Sequence, residues 1–370
     1  MPVLDVVVEQ LLAPVPGGTG RYARQIAAAL ARHAPDGWRV RTLTAWHRDV
    51  SAAHIPEIGA PHRLPAGHRV LAEAWMRGLP PTPRATSVHG ATPLMPTRAR
   101  RGAVTVHDVV PWTHPETLTP RGVAWHRRII ERSVAAGFEV VVPTRAVGDA
   151  LTEIFPQLRS RLQVIGHGVT SLPVPGDAAD RRVRLGLPER YLVTVATLEP
   201  RKGLDVLIAA LAVGEPGVPP VVAVGQPGWG GVSLAGSAAA AGLAADRVIG
   251  VGRIDDADLA AVLDGATALV APSRAEGFGL PVLEAMAAGL PVICSDDAAL
   301  VEVAGGAAVV VPRGQAEPLA QAMAAVCDDA DRRARLRAAG LLRAADFSWQ
   351  DAAERLWRVH RRLAEDATGG

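Results

Sequence analysis

Short runs of Val, Ile, Leu and Ala alternate with Ala-, Leu- and Arg-rich helical segments along almost the whole chain. The apolar runs are continuous, which is typical of strands buried on both faces of a parallel sheet. A succession of such strands and helices predicts a doubly wound α/β fold. Strands are expected at 4–8, 103–106, 139–142, 162–165, 192–196, 221–224, 247–251, 268–271, 291–294 and 308–311.

The chain is long enough for two domains of this kind, since 370 residues exceed the usual size of one. A Pro-, Gly- and Asp-rich segment at 171–180, SLPVPGDAAD, interrupts the pattern near the middle, whereas residues 45–96 show little strand pattern and are expected to be irregular. We therefore predict a Rossmann-like domain at 1–172, a linker at 173–188, a second Rossmann-like domain at 189–348 and a C-terminal helix at 349–366.

Basic residues are concentrated in the first half of the chain. Residues 1–170 carry a net charge of +8 and the remainder −6. This asymmetry favours an anionic ligand or surface for the first half, although ordinary solvated faces could give the same count. Lys202 is the only lysine among 39 basic residues. A compact ammonium group at that one position indicates a functional requirement, with chance as the alternative.

Several classes of protein are excluded by what the sequence lacks. No apolar run reaches the ~18–20 residues of a membrane-spanning helix, and an N-terminus bearing Asp5 and Glu9 is not expected to be a signal peptide. Two cysteines, Cys294 and Cys327, suit neither a disulfide framework nor a zinc cluster, so we expect a cytoplasmic protein. Walker A, GxSxG and HExxH motifs are absent, and the basic clusters lack the aromatic residues of a nucleic-acid-binding protein.

The most specific segment is SRAEGFGLPVLEAMAAG at 273–289, which follows a predicted strand. Glu276 lies before the predicted helix and Glu284 within its beginning. Gly277 and Gly279 allow close approach of a ligand to the backbone, and free N–H groups at a helix start attract anions or sugar oxygens. The two carboxylates are suitable acceptors for the hydroxyls of a polyol. The alternative is an ordinary strand–turn–helix junction with surface glutamates.

A second segment, VATLEPRKG at 195–203, also follows a strand directly. It places Arg201 and Lys202 beside the start of a predicted helix. Adjacent cations there suit a diphosphate, with the guanidinium as a bidentate fork and the ammonium as a point charge. A solvated turn is the alternative, and the uniqueness of Lys202 favours the diphosphate site.

A glycine-rich loop follows the first predicted strand, with the sequence PGGTGRY at 16–22. It is neither a P-loop nor the GxGxxG of a dehydrogenase, and a plain strand-to-helix turn is an equal alternative. The segment VTVHDVVP at 104–111 places His107 and Asp108 at the end of another strand. The carboxyl ends of parallel strands are where α/β sites lie, although a lone histidine is more often structural.

Together these segments resemble the retaining glycosyltransferases of family 4, which have the GT-B fold. The resemblance covers nearly the whole chain and is carried by GGTGRY, HDVVP, VIGHGV, ATLEPRKG, VGRIDDADL and SRAEGFGLPVLEAMAAGLPVICSD. The last of these has the E-x7-E pattern of that family, and ATLEPRKG is most similar to its bacterial mannosyltransferase-like branch. The resemblance implies an α/β protein of two Rossmann-like doubly wound domains that face a central cleft, the first for the acceptor and the second for the nucleotide-sugar donor.

The resemblance also implies roles for individual residues. Arg201 and Lys202 would bind the donor diphosphate, Glu276 would contact the sugar, and His107 would lie over the sugar near the acceptor. Where many family members have a Gly-Arg pair after the strand, this chain has Ala196 and Thr197, so that Arg201 is expected to take over the role of that arginine. The remaining donor-binding residues would be Gly17, Gly18, Thr197, Val251, Arg253, Gly277, Phe278, Gly279, Leu280 and Glu284.

The activity implied is metal-independent transfer of a hexose with retention of configuration, with mannose from GDP-mannose as the favoured donor and no cofactor. The acceptor would be a glycan, a lipid-linked molecule or a small molecule of bacterial envelope biosynthesis. The +8 charge of the first half further suggests peripheral contact with an anionic membrane at the inner face of the cell membrane. The alternatives are a GT-B sugar-nucleotide epimerase or hydrolase, and a non-catalytic subunit that binds nucleotide sugars.

Overall fold

The computed structural model describes residues 1–214, 217–228, 230–231 and 233–365. They divide into two compact units. Unit 1 comprises residues 1–168 and the C-terminal segment from Ser348, and unit 2 comprises Val169–Phe347.

Unit 1 contains a parallel sheet of seven strands in the order β3-β2-β1-β4-β5-β6-β7. Its strands are β1 (Val3–Val7), β2 (Arg39–Thr44), β3 (His62–Arg63), β4 (Ser87–Gly90), β5 (Gly102–Thr105), β6 (Glu139–Val142) and β7 (Leu162–Val164). Its helices up to the unit boundary are α1 (Gly17–Arg32), α2 (His68–Met76), α3 (Val110–Thr113), α4 (Pro120–Ala135) and α5 (Arg145–Ile154).

Unit 2 contains a parallel sheet of six strands in the order β10-β9-β8-β11-β12-β13. Its strands are β8 (Leu192–Val195), β9 (Val221–Val224), β10 (Val248–Gly252), β11 (Leu269–Ala271), β12 (Val292–Ser295) and β13 (Val309–Val311). Its helices are α6 (Ala178–Arg184), α7 (Leu204–Val213), α8 (Leu234–Ala240), α9 (Asp256–Gly265), α10 (Leu280–Ala287), α11 (Ala298–Ala304), α12 (Ala316–Asp328) and α13 (Ala330–Ala345).

The ten predicted strands are all present, shifted by one or two residues at most. Their apolar side chains are buried on both faces of each sheet, as in the clusters that contain Val193 and Val222 on one face and Leu192 and Val221 on the other. The prediction that residues 45–96 are irregular is wrong at 62–63, 68–76 and 87–90, where β3, α2 and β4 form.

The boundary between the units lies at Gly168, before the predicted linker at 173–188. That segment belongs to unit 2 because part of it forms α6, which packs against α9. Arg181 of α6 donates to Asp258 of α9 over 2.7 Å. The polar, Pro/Gly-rich residues near 175 therefore lead into the surface helix α6 of unit 2 and do not connect the two units.

The C-terminal helix α14 (Trp349–Glu365) returns to unit 1, where it packs on α1. The indole Nε1 of Trp357 donates to the carbonyl oxygen of Leu30 over 3.0 Å, and Arg355 donates to the carbonyl oxygen of Val164. Close packing requires a glycine at 168, since a Cβ atom there would lie 2.2 Å from the backbone nitrogen of Trp349. The C-terminal helix was predicted at 349–366, and α14 covers 349–365 of that range. Residue 366 lies outside the described residues.

Both sheets reverse their strand order at one point, between β1 and β4 in unit 1 and between β8 and β11 in unit 2. Loops that follow these strands at their carboxyl ends leave a crevice that ligands occupy in doubly wound proteins. The predicted functional segments after β1, β8 and β11 all begin at such a reversal.

Candidate functional site

The loops after β8 and β11 in unit 2 are joined to each other. The backbone N–H of Arg274 donates to the carbonyl oxygen of Arg201 over 2.8 Å, and the Arg274 side chain forms a bidentate ion pair with Asp205. Gly203 adopts the left-handed conformation with φ of +65°, and a Cβ atom there would lie 2.1 Å from the carbonyl oxygen of Pro272. A glycine is therefore required for the two loops to approach this closely.

A three-residue charge cluster forms where these loops meet. The Lys202 ammonium nitrogen lies 2.5 Å from Oε1 of Glu276, and a guanidinium nitrogen of Arg201 lies 3.1 Å from Oε2. The hydroxyl of Ser273 donates to Glu276 over 2.8 Å, and Glu199 accepts from Arg201 over 2.7 Å. The structure thus brings together three of the four predicted catalytic residues. Ser273 and Glu199 lie within the quoted motifs, but sequence reasoning gave them no role.

The electrostatic balance of this cluster keeps the carboxylate of Glu276 ionised. Burial raises the pKa of Glu276, but the charges of Lys202 and Arg201 outweigh this effect, and together with hydrogen bonds from Lys202 and Ser273 they lower its pKa to about 2. The Arg201 and Lys202 side chains are 17% and 14% exposed. Glu199 and Glu276 together balance the charges of these two cations, and the guanidinium and ammonium are the groups to which a diphosphate would bind.

The turn between β11 and α10 presents backbone groups beside the cluster. Gly279 has a φ of +92°, and α10 begins at the next residue with Pro281 in its first turn. Phe278 is buried and its ring packs edge-to-face on Phe347 at 5.7 Å. Because Phe278 and Leu280 are buried in the core, only their backbones are suited to the predicted contact with a sugar. Gly277 belongs to the same turn.

The other predicted donor-binding residues of unit 2 lie in α10, after β8 and at the end of β10. Glu284 is 91% buried in the middle of α10. Thr197 follows β8 and packs closely against Gly228, where a Cβ atom would be 2.6 Å from its methyl group. Val251 lies in β10 and Arg253 just after it, at the carboxyl end of the edge strand.

In unit 1, the glycine pair after β1 is helical and not a flexible loop. Helix α1 begins at Gly17, which has a φ of +59°, and Gly18 lies in its first turn. The Thr19 hydroxyl and the Gly20 N–H both donate to the carbonyl oxygen of Pro16, which stabilises this start. The prediction of a glycine-rich loop at 16–22 is therefore wrong from Gly17 onward, where the segment belongs to α1.

His107 follows β5 and is partly exposed. Its Nε2 lies 2.8 Å from the carbonyl oxygen of Ala91, which can only accept, so Nε2 carries the proton. Burial lowers the pKa of His107, in spite of this hydrogen bond and the nearby charge of Asp108. The ring is therefore neutral near pH 7, and Nδ1 presents a lone pair that can accept a hydrogen bond from a hydroxyl group.

An aromatic cluster that sequence reasoning did not identify surrounds His107. The Tyr22 ring lies 4.8 Å from His107 and 4.4 Å from His167, and Trp349 lies 6.0 Å from Tyr22. Tyr22 and His167 lie in the segments GGTGRY and VIGHGV. Their place in these two motifs is the only feature of the sequence that could have pointed to the cluster.

Among the residues that the structure describes, no helix is both long and apolar enough to cross a membrane. Among these same residues, no group of three or more His, Cys, Asp or Glu side chains is arranged to hold a metal ion.

Comparison with known proteins identifies the family of the second unit. Residues 177–343 match the family model described as Glycosyl transferases group 1. Unit 2 therefore contains a domain of this family, which confirms for that part of the chain the glycosyltransferase resemblance that its motifs predict.

Two curated relatives carry specific names. The O-antigen chain mannosyltransferase B of Escherichia coli is 26% identical over 275 residues, which are 71% of this chain and 71% of the relative. D-inositol 3-phosphate glycosyltransferase 1 of Catenulispora acidiphila is 33% identical over 254 residues, which are 64% of this chain. The chain spans 60% of the length of that second relative.

A solved structure matches over almost the full length. Sucrose-phosphate synthase from Thermosynechococcus elongatus has a TM-score of 0.76 at 24% identity, with 98% of this chain and 99% of that chain covered. The match confirms the predicted GT-B architecture of two parallel-sheet α/β domains.

Proposed function

We propose that this protein is a retaining glycosyltransferase that transfers a hexose from a nucleoside-diphosphate sugar to a hydroxyl group of an acceptor. The observation that carries the proposal is the charge cluster of Arg201, Lys202 and Glu276 at the carboxyl ends of β8 and β11. It combines a guanidinium and an ammonium group for a diphosphate with a helix start for sugar or phosphate oxygens.

The chemical step breaks the bond between the anomeric carbon and the diphosphate oxygen. Negative charge develops on the leaving phosphate, and positive charge develops on the sugar ring. Arg201 and Lys202 stabilise the first, because Glu276 holds both in place before the reaction begins. The acceptor hydroxyl attacks from the side that the phosphate leaves, and its proton passes to a phosphate oxygen. Configuration is thereby retained without a protein nucleophile of the glycosidase type.

His107 contributes a hydrogen-bond acceptor to this scheme. Its Nδ1 lone pair is fixed by the bond from Nε2–H to the carbonyl oxygen of Ala91. A neutral acceptor of this kind suits a sugar or acceptor hydroxyl. It can orient that group without taking up its proton, since burial lowers the pKa of the ring.

Mannose from GDP-mannose is the donor that we favour, and a glycan, lipid-linked or small-molecule acceptor of bacterial envelope biosynthesis is the second substrate. The choice of mannose is supported by the E. coli relative, which is named as an O-antigen chain mannosyltransferase. The named inositol phosphate glycosyltransferase supports a small-molecule acceptor instead. The +8 charge of residues 1–170 supports peripheral contact with an anionic membrane at the cytoplasmic face.

The proposal is tested by incubating the purified chain with GDP-, UDP- and dTDP-sugars, with and without candidate acceptors. We measure release of the nucleoside diphosphate and identify the sugar product by mass spectrometry. Product formation that requires an acceptor supports the transferase. Release without an acceptor would indicate a hydrolase, conversion to an isomeric nucleotide sugar an epimerase, and binding without turnover a non-catalytic subunit.

Membrane contact is tested separately by flotation with neutral vesicles and with vesicles that contain an anionic phospholipid. Recovery with the anionic vesicles alone, lost at high salt, supports the contact. Equal recovery with both kinds of vesicle would contradict it.

A further inference from the structure

A continuous chain of polar side chains runs through the apolar interior of unit 1. Its members come from two neighbouring strands and two helices, and each is at most 2% exposed. They are Ser87 and His89 of β4, Thr105 of β5, Tyr22 of α1 and His360 of α14.

Each member lies within hydrogen-bond distance of the next. Nδ1 of His360 lies 2.7 Å from the Ser87 hydroxyl, and its Nε2 lies 3.3 Å from Nδ1 of His89. Nε2 of His89 lies 3.3 Å from the Thr105 hydroxyl. The Thr105 hydroxyl lies 3.1 Å from the phenolic oxygen of Tyr22. The chain therefore connects the C-terminal helix to the first helix of the unit.

The two histidines constrain each other. Burial lowers the pKa of His89 to about 3 and that of His360 well below its usual value, so both rings are neutral near pH 7. A neutral imidazole has one N–H group and one lone pair. In the link between the two rings, one nitrogen must donate and the other accept. The tautomer of His360 therefore determines whether Nε2 of His89, which faces the Thr105 hydroxyl, carries a proton.

Tyr22 transfers this constraint to the candidate site. Its hydroxyl is held at the end of the chain, while its ring packs edge-to-face on His107 with an interplanar angle of 81°. His107 is held on its other side by the carbonyl oxygen of Ala91. A tilt of the Tyr22 ring would therefore alter the direction of the Nδ1 lone pair of His107.

We propose that His360 of the C-terminal helix is a positioning residue for His107, acting through the buried chain that ends at Tyr22. This inference rests on the proposed function, in which His107 accepts a hydrogen bond from a substrate hydroxyl. It assigns to α14 a part in catalysis in addition to its packing on α1. A buried polar network is costly unless it is fully satisfied, and a purely structural contact between these elements could have been apolar.

The kinetic test compares variants that interrupt the chain at opposite ends. His360→Leu removes both hydrogen bonds of the imidazole, whereas His360→Gln keeps an amide near the position of Nε2. Tyr22→Phe removes the hydroxyl and keeps the ring. Trp357→Phe is the control, because it removes a hydrogen bond between α14 and α1 that lies outside the chain.

We expect His360→Leu and Tyr22→Phe each to lower kcat about ten-fold with little change in the KM for the donor. The double variant should fall no further than the slower single variant, since both act through one path. His360→Gln should recover most of the activity, and Trp357→Phe should lower only the melting temperature. Unchanged kcat in Tyr22→Phe or in His360→Leu, or losses that multiply in the double variant, would overturn the inference. If His360→Leu does not fold, Tyr22→Phe still decides it.

A second measurement does not depend on turnover. The imidazole nitrogens of His107, labelled with ¹⁵N, report its tautomer and surroundings by NMR. We expect their resonances to move in Tyr22→Phe and His360→Leu but not in Trp357→Phe. Identical resonances in wild type and both chain variants would overturn the inference. A wild-type chain that transfers no sugar would contradict the proposed function alone, because the NMR comparison remains valid.

Discussion

The ammonium group of Lys202 and the carboxylate of Glu276 lie 2.5 Å apart, although 74 residues separate them in the chain. The contact joins the loop after β8 to the loop after β11, which are different strands of the unit 2 sheet. The only lysine of the chain is thus a partner in this contact. The compact ammonium fits beside the carboxylate while the neighbouring Arg201 contacts the other carboxylate oxygen.

Glu276→Gln should lower both stability and activity. The folded pKa of Glu276 is about 2 against an ordinary value of 4.5, so its stabilisation is complete above pH 4.5 and is lost as the pH falls toward 2. We expect the free energy of unfolding at pH 7 to fall by about 2–3 kcal/mol and kcat/KM to fall about 100-fold. Denaturant melts between about pH 2 and 8 and initial-rate kinetics at neutral pH measure these effects.

The control for this prediction is Asp205→Asn, which breaks a more exposed ion pair with Arg274 in the same loops. It should cost less than about 1 kcal/mol. A stability difference between wild type and Glu276→Gln that stays constant as the pH falls well below 4.5 would contradict the account.

His107→Asn should retain more activity than His107→Ala. The side-chain oxygen of asparagine can occupy the position of the Nδ1 lone pair, whereas alanine has no acceptor there. We expect kcat to fall about 100-fold in the alanine variant and about ten-fold in the asparagine variant. His107→Gln, which instead resembles Nε2, should match alanine. Equal losses in all three variants would show that the lone pair has no role.

Glu9→Gln should reveal the contribution of a buried carboxylate of unit 1 to stability. Oε1 of Glu9 lies 2.7 Å from Nε2 of His47 and 2.9 Å from Nδ1 of His68, and Oε2 accepts from the Ala45 N–H. Burial raises the pKa of Glu9, but the hydrogen bonds from the histidines and Ala45 lower it overall. The bond to Glu9 raises the pKa of His68.

The pH dependence of this cluster follows from both shifts. The contribution of Glu9 is complete above 4.5 and is lost below it, and that of His68 is complete below 6.5 and is lost as the pH rises through its raised folded value. The stability difference between wild type and Glu9→Gln, about 1–3 kcal/mol, should therefore be largest between pH 4.5 and 6.5. A maximum above pH 8 in denaturant melts would be inconsistent with this ion pair.

The two cysteines should not react with thiol reagents in the folded protein. Cys294 and Cys327 are buried, and burial raises the pKa of Cys294 to about 12 and also raises that of Cys327. Because the thiolate is the reactive form, labelling with a colorimetric disulfide reagent should require unfolding. Two thiols should appear in denaturant and none in buffer. Rapid labelling of either one in buffer would show local opening of unit 2.

The sequence predicted the strands that are continuous and apolar but not those that carry polar residues. Strands β2 and β4, with sequences RVRTLT and SVHG, were not predicted. In β4, His89 is fully buried and is stabilised by partners from β5 and α14, the second of them 271 residues away. A local sequence pattern carries no information about such a distant partner. A buried polar residue in a strand is therefore mistaken for a solvent-exposed one.

The candidate site was predicted at the level of loops and not of contacts. Each loop carried its own signal, in the single lysine at 202 and in the glycine turn after Glu276. The ion pair between them depends on which strands become neighbours in the sheet, and β8 lies beside β11 although β9 and β10 intervene in sequence. The chain from His360 to Tyr22 had no local signal, because every one of its links joins different elements.

The most direct test of the central claim, that unit 2 holds a nucleoside-diphosphate sugar at Lys202, is a thermal-shift titration. Wild type, Lys202→Ala and Lys202→Arg are each melted with GDP, UDP, dTDP and the corresponding sugar nucleotides. A ligand at ~100 times its Kd stabilises the folded state by about 2.7 kcal/mol, which raises the melting temperature measurably. We predict stabilisation of wild type by GDP and GDP-mannose, its loss in Lys202→Ala and partial retention in Lys202→Arg. Equal stabilisation of wild type and Lys202→Ala, or no response of wild type to any nucleotide, would contradict the account.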